Sequence, residues 1–195
     1  MVDGASLLMS AFYSMKTMGM WSGGRGGNML DGGAPFYRTY ETRDGGHMAV
    51  GAIEPPFWQE LLDKLGLAGE ELPHQMDVAR WPQLEARLAD VFATRTRDEW
   101  ASLLEGTDAC TAPVLEMSEV PGHEHMKARD AWVRVGDMEQ PAPAPRFSRT
   151  PSGVPSPAPT HGSSTRSGLL DWGVTEDRIQ ELQGAGVVGG PTGEG

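Results

Sequence analysis

A single cysteine among 195 residues leaves no intrachain disulfide to staple the fold. Basic side chains are scarce as well. Sixteen Lys and Arg stand against 27 Asp and Glu, a net charge of −11 at pH 7. A surface with that excess repels nucleic acid and anionic membrane, which argues against both as partners. No apolar run approaches the length of a membrane span. The first residues also lack the basic stretch, apolar run and small-residue cleavage site of a secretory leader. The expectation is a cytoplasmic protein. Aromatic residues make up only 7% of the chain and apolar residues 38%, while 26 Gly and 15 Pro interrupt the pattern. The core is therefore expected to be smaller than the length alone implies.

What is present reads as an α+β fold. Ala5, Leu8, Phe12, Met15 and Met18 recur at helical spacing behind Asp3, a good N-cap. They predict a helix over 4–20 whose apolar stripe packs on a core. Residues 22–27, Ser-Gly-Gly-Arg-Gly-Gly, fit neither a dinucleotide fingerprint nor a P-loop and read as a flexible linker. Strand-like runs at 35–42 and 47–53 flank Arg43-Asp44-Gly45-Gly46, a strong hairpin signal. Helices are predicted over 55–66, 81–94 and 97–105, each with one apolar side that packs on the hairpin. A strand near 112–116, a helix from Ser118 that restarts after Pro121, and a strand at 131–136 complete this region. Residues 139–167 hold seven prolines and read as an extended or disordered linker. A short helix from Thr175 to Gly186 follows, and the tail beyond 187 has no pattern.

The chemistry-bearing stretch is Asn28-Met29-Leu30-Asp31-Gly32-Gly33-Ala34-Pro35-Phe36-Tyr37. It sets one carboxylate, Asp31, between an apolar residue and two glycines. Glycines let a backbone or a ligand approach closely. Apolar neighbours raise a carboxyl pKa toward the range where protons exchange near neutral pH. Taken alone, Asp-Gly-Gly is more often a plain turn. Cys110 sits among apolar residues and reads as a small buried hydrophobe. His123 and His125 lie two apart, on different helix faces, with no third ligand placed by spacing, so no metal site is expected. His47 and His74 read as surface residues. Glu54, where a strand hands over to a helix, reads as that helix's cap.

With its context, the run at 28–37 resembles the alpha-methylacyl-CoA racemases, within the wider family III CoA-transferase group. The other matching pieces follow in order. Met1-Val2-Asp3-Gly4-Ala5-Ser6 precedes the run, and Val50-Gly51-Ala52-Ile53-Glu54-Pro55 comes after it. Then come Arg80-Trp81-Pro82, Asp108-Ala109-Cys110, Pro113-Val114-Leu115, Ser118-Glu119-Val120 and Pro143-Ala144-Pro145-Arg146-Phe147-Ser148. The likeness covers residues 1–150 and, more loosely, 168–188. Family members are about twice this length, and their N-terminal α/β domain holds CoA and a histidine in a Gly-His-Asp context. No Gly-His-Asp occurs here, so the expectation is a C-terminal half. A net charge of −11 fits a chain whose basic residues for CoA phosphates lie elsewhere. The expected organisation is a remnant of the large domain over 1–34 and a small hairpin-and-helix domain over 35–138. A Pro-rich linker over 139–167, a helix over 168–188 returning to the large domain, and a tail over 189–195 follow.

The resemblance implies racemisation of a 2-methylacyl-CoA. The proton next to the thioester leaves one face and returns to either, through an enolate, so the site needs an acid/base on each face and donors for the enolate oxygen. By resemblance, Asp31 is one proton donor/acceptor, Gly32 and Gly33 lie against the substrate, and Glu119 pairs with the absent histidine. Glu119 reads equally as a first-turn helix carboxylate. No cofactor is implied, because CoA belongs to the substrate. The expected partners are an acyl-CoA and either a second copy or a complementary N-terminal-half chain. Two classes of function remain. One is an enzyme, an acyl-CoA racemase or a family III CoA transferase. The other is a non-catalytic truncated or split half that needs a partner chain.

Overall fold

The computed structural model describes residues 1–22 and 24–190. Gly23 of the predicted linker, and the patternless tail from 191 onward, lie outside the described residues. The chain divides into two compact units, Met1–Leu115 and Glu116–Gly195.

The first unit opens with two short helices, α1 (Val2–Leu8) and α2 (Ser10–Thr17). The single helix expected over 4–20 is interrupted at Met9 (φ −79, ψ −3). The N-cap is Met1, which has no side-chain oxygen to offer, and Asp3 lies inside the first turn. There its carboxylate favours the helix by facing the positive end of the dipole. The expected core stripe is also corrected: Leu8 is 80% exposed and Met18 64%. Only Phe12 and Met15 are half-buried, with Phe12 edge-on to Trp21 at 5.1 Å.

The hairpin is found where the sequence placed it. Strand β1 (Tyr37–Glu41) pairs antiparallel with β2 (His47–Gly51), in register from Tyr37↔Gly51 to Glu41↔His47. Strand β3 (Thr111–Val114) adds to β2, giving the order β1-β2-β3. Gly45 supplies the positive φ of the turn (+80). Gly46 is required for space, since a Cβ there would sit 2.9 Å from the Arg97 Cβ. Tyr40, Met48 and Val50 point inward, while Tyr37, Thr39 and Ala49 line the opposite face.

Three helices cover the inward face. They are α3 (Pro55–Lys64), α4 (Trp81–Phe92) and α5 (Arg97–Leu104). Prolines at the first positions of α3 and α4 supply a preset φ where no N–H is needed. Helix α5 starts on a reciprocal cap: the Glu99 N–H donates to the Thr96 hydroxyl, and the Thr96 N–H to the Glu99 carboxylate. Leu61, Leu84, Leu88 and Phe92 are fully buried. Aromatic rings bind the layers together. Phe36 is edge-on to Trp58 (6.1 Å) and Trp81 (5.9 Å), and Phe92 stacks on Tyr40 (5.0 Å) and meets Trp100 (5.4 Å). Three of the buried aromatic side chains have their polar atoms hydrogen-bonded to backbone. The Tyr40 hydroxyl donates to Pro35 O, the Trp81 indole to Gln75 O and the Trp100 indole to Phe92 O. Burial pushes the Tyr40 phenol well above its ordinary range.

The second unit is lighter in core. The helix expected from Ser118 is a single tight turn at Val120–Gly122 followed by α6 (Glu124–Ala128). Strand β4 (Trp132–Val135) pairs with β5 (Met138–Pro141), which takes up the start of the predicted linker. Gly136 (φ +61) and Asp137 form the two-residue loop between them. Helix α7 (Thr165–Asp171) takes up its end, and α8 (Glu176–Gly184) buries Ile179. No helix among the described residues is long and apolar enough to cross a membrane.

Phe36 is 0% exposed and joins the hairpin to α3 and α4. Phe36→Ala is expected to cost about 3–5 kcal/mol of stability, and Phe36→Leu less than half of that. Urea unfolding followed by tryptophan fluorescence reads both. A loss under about 1 kcal/mol in Phe36→Ala would show that the ring does not anchor the unit.

Candidate active site

The motif at 28–33 forms a wide turn closed by the Gly33 N–H donating to Asn28 O at 3.1 Å. Asp31 (φ −111, ψ 17) and Gly32 (φ +90) depart from helical geometry. Gly32 therefore holds a conformation that disfavours side chains. Gly33 is confined differently. A Cβ there would lie 2.6 Å from Gly26 O and 2.8 Å from Asn28 O. Immediately after it, Ala34 and Phe36 are fully buried, which fastens the turn to the core.

Asn28, 5% exposed, is the centre of this turn. Its backbone N–H donates to Asp31 Oδ1 (2.8 Å), and its side-chain amide donates to Asp31 Oδ2 (2.7 Å). Its Oδ1 accepts from the Ser22 N–H at 2.6 Å, and Nδ2 also reaches Ser22 O and Gly24 O. Asp31 is exposed, yet the Asn28 amide, with backbone N–H groups of Asn28, Gly33 and Gly26, holds its carboxyl below the ordinary 3.8. The sequence reading expected apolar neighbours to raise it. Desolvation does push that way, but it is outweighed by hydrogen bonds to the ionised form. Asp31, Gly32 and Gly33 are thus brought together in one turn. Asn28 was not singled out in the sequence, although Asn-x-x-Asp is a capping spacing.

Glu119 belongs to the second unit and is half-buried. Its Oε2 accepts from the Glu116 N–H at 2.7 Å, so its local role is to hold the turn that starts this unit. His123 caps α6, its Nδ1 accepting from the His125 N–H. His47 and His74 are exposed.

Glu54 stands at the N-cap position of α3, but its side chain makes no capping hydrogen bond, against the sequence reading. A longer side chain than Asp cannot fold back as easily onto the first-turn amides. The carboxylate is exposed. The backbone just before it is pinned by buried Gln75, whose amide donates to Ala52 O (3.1 Å) and Ile53 O (2.9 Å). Gln75 carries no local signal in the sequence; only its burial reveals the role. Cys110 is exposed, not buried, with φ +50. Partial desolvation and the charges of Glu54, Asp108 and Glu60 push its thiol up, which disfavours the thiolate form.

Two concavities flank the turn. One, of about 580 Å³, is an open groove on the outer sheet face, bounded by Gly32, Tyr37, Ala49, Gly51, Cys110 and Ala112 among others. The other, of about 320 Å³, is more enclosed and mostly apolar, with Met15, Met20, Trp21, Met29, Leu30 and Trp81 in its wall.

Known proteins resemble this chain over nearly its whole length. It is 46% identical over 191 residues to the alpha-methylacyl-CoA racemase of Mus musculus and 42% identical to that of Homo sapiens. In both cases 96% of this chain matches 50% of the relative. The chain therefore spans about half the length of the curated relatives it matches. Among solved structures, a hypothetical protein of Mycobacterium tuberculosis superposes with a TM-score of 0.61 at 20% identity, over 85% of this chain and 44% of that one. That likeness concerns the fold. A family model matches residues 1–165, and on that match the chain belongs to CoA-transferase family III.

Proposed function

We propose that this chain supplies one side of an active site that exchanges the C2 proton of a 2-methylacyl-CoA, as in racemisation through an enolate. The observation that carries the reading is a ligand-sized groove and an apolar cavity on either side of one turn, with the exposed Glu54 carboxylate near enough to Cys110 on the groove wall for its charge to act on that thiol. An enolate-forming site needs a proton acceptor beside the reacting carbon, and an apolar acyl group needs a place out of water. Methionines suit acyl chains of differing shape, because their unbranched side chains repack cheaply. The high identity to the two racemases favours this reading over transfer of CoA between acids. A transferase needs a carboxylate nucleophile that forms an acyl anhydride, and nothing in these motifs singles one out.

Within this reading the carboxylates divide by what already holds them. Asp31, implied by resemblance to be a proton donor/acceptor, has both oxygens engaged by Asn28 and a lowered pKa. Those bonds must loosen before it can carry a proton, so its proposed work is to lock the turn that shapes Gly32 and Gly33. Glu54 has no hydrogen-bond partner for its carboxylate among the described residues and is the better candidate base. Glu119→Gln preserves the oxygen that takes the Glu116 N–H. Loss of exchange in that variant is the signature of a histidine-pairing role. A partner surface belongs to the proposal as well: the exposed apolar residues of α1 and α2 are suited to the protein that completes the site, in a second copy or in another chain.

Deuterium wash-in at C2 of a 2-methylacyl-CoA decides between these roles. Glu54→Gln is expected to lower kcat about 100-fold or more, the ordinary worth of a general base. Asp31→Asn is expected to retain exchange within about tenfold while lowering stability. The reverse pattern would return the proton-transfer role to Asp31, and no exchange in the unmodified chain would sink the stand-alone enzyme. Gly33→Ala should destabilise the turn by about 1–3 kcal/mol, read by thermal melting, because the added carbon meets backbone on two sides.

A further inference from the structure

Residues 28–32 form a partition. Met29 and Leu30 face the apolar cavity, Gly32 faces the sheet groove, and Asp31 lies between them in sequence. A wall shared by two concavities fixes how a ligand divides between them. What holds this wall is one buried amide. Asn28 accepts from the Ser22 N–H on one side and donates to Asp31 on the other, so its side chain ties the loop leaving Trp21 to the turn entering β1.

We infer that Asn28 is a positioning and specificity-determining residue, the latch that sets the partition between the apolar cavity and the sheet-face groove. The inference rests on the acyl-CoA reading above for its ligand, with the acyl chain in the apolar cavity and the reacting carbon on the groove side. Moving the wall by a fraction of an ångström changes the fit of a long acyl chain. A short one, which hardly enters the cavity, is much less affected. The carbonyls of Ser22 and Gly24 accept from the same amide, so Asn28 makes the most bonds between the two segments, with the Gly26 N–H on the Asp31 carboxyl beside it.

The latch is testable in the unmodified chain. The Ser22 amide should exchange slowly with solvent, and the Asp31 carboxyl carbon should titrate below the ordinary carboxylate range by NMR. In Asn28→Ala, Ser22 should lose its protection and Asp31 should return toward its ordinary value. A Ser22 amide that exchanges freely in the unmodified chain overturns the latch, whatever the enzymology. The specificity role is read from wash-in with 2-methyldecanoyl-CoA and 2-methylpropanoyl-CoA. Asn28→Ala and Asn28→Ser are expected to lower the long-to-short ratio of kcat/KM about tenfold, mainly by raising KM for the long chain. Loss of folded protein lowers both substrates alike. An unchanged ratio in the folded Asn28→Ser variant therefore overturns the specificity role. If the unmodified chain exchanges neither substrate, the acyl-CoA reading fails and the specificity role falls with it, while the NMR result still decides the latch.

Discussion

Phe36 is the side chain on which the first unit depends. Its ring is edge-on to Trp58 from α3 and to Trp81 from α4, and it is fully buried. Three elements far apart in sequence therefore meet at one residue. The contact is apolar and shape-specific, and a hole there is not easily refilled. Its position also explains why a local turn is stiff. Phe36 follows the Asp31-Gly32-Gly33 turn by three residues, so the core holds the C-terminal end of that turn while Asn28 holds its N-terminal end. A loop clamped at both ends can keep Gly32 at φ +90 and Gly33 against the Gly26 carbonyl without relying on solvent-facing contacts.

The same clamp acts on the Asp31 carboxyl. Exposure alone leaves a carboxyl near its ordinary value. Hydrogen bonds to the ionised form move it down. The stability that follows from the clamp is present above the ordinary carboxylate range and is lost as pH falls through the lowered value, so it does not vary near neutrality. Glu54 is the converse case. The backbone just before it is held by Gln75, and its carboxylate makes no capping hydrogen bond.

The hairpin and the helices behind it were legible because their signals are local. Asp44-Gly45 forces a turn, and Leu84, Leu88 and Phe92 repeat at helical spacing. The cap at Thr96–Glu99 was equally local, and the Gly136-Asp137 loop gives a standard hairpin signal masked by the prolines after it. Gln75 was not legible, since its bonds reach 22 and 23 residues back along the chain. The pKa of Asp31 was misread for a related reason. Its apolar neighbours are visible in the sequence, but the amides that outweigh them converge only when the turn closes. Cys110 was misread because composition around it does not reveal its φ of +50, which turns the side chain out of the core.

The exposed start of the chain obeys a different balance from the rest of the surface. An acidic protein resists self-association through net repulsion, yet residues 1–20 carry only Asp3 and Lys16, one charge of each sign. That face is locally neutral, and acidic groups elsewhere act through solvent that screens them beyond about 8–10 Å. What governs an encounter there is apolar area. Val2, Leu7 and Leu8 are each more than 70% exposed, and covering such side chains is worth about 1.5–3 kcal/mol apiece. Repulsion from a net charge of −11 therefore opposes the burial of these two helices less than their apolar area favours it.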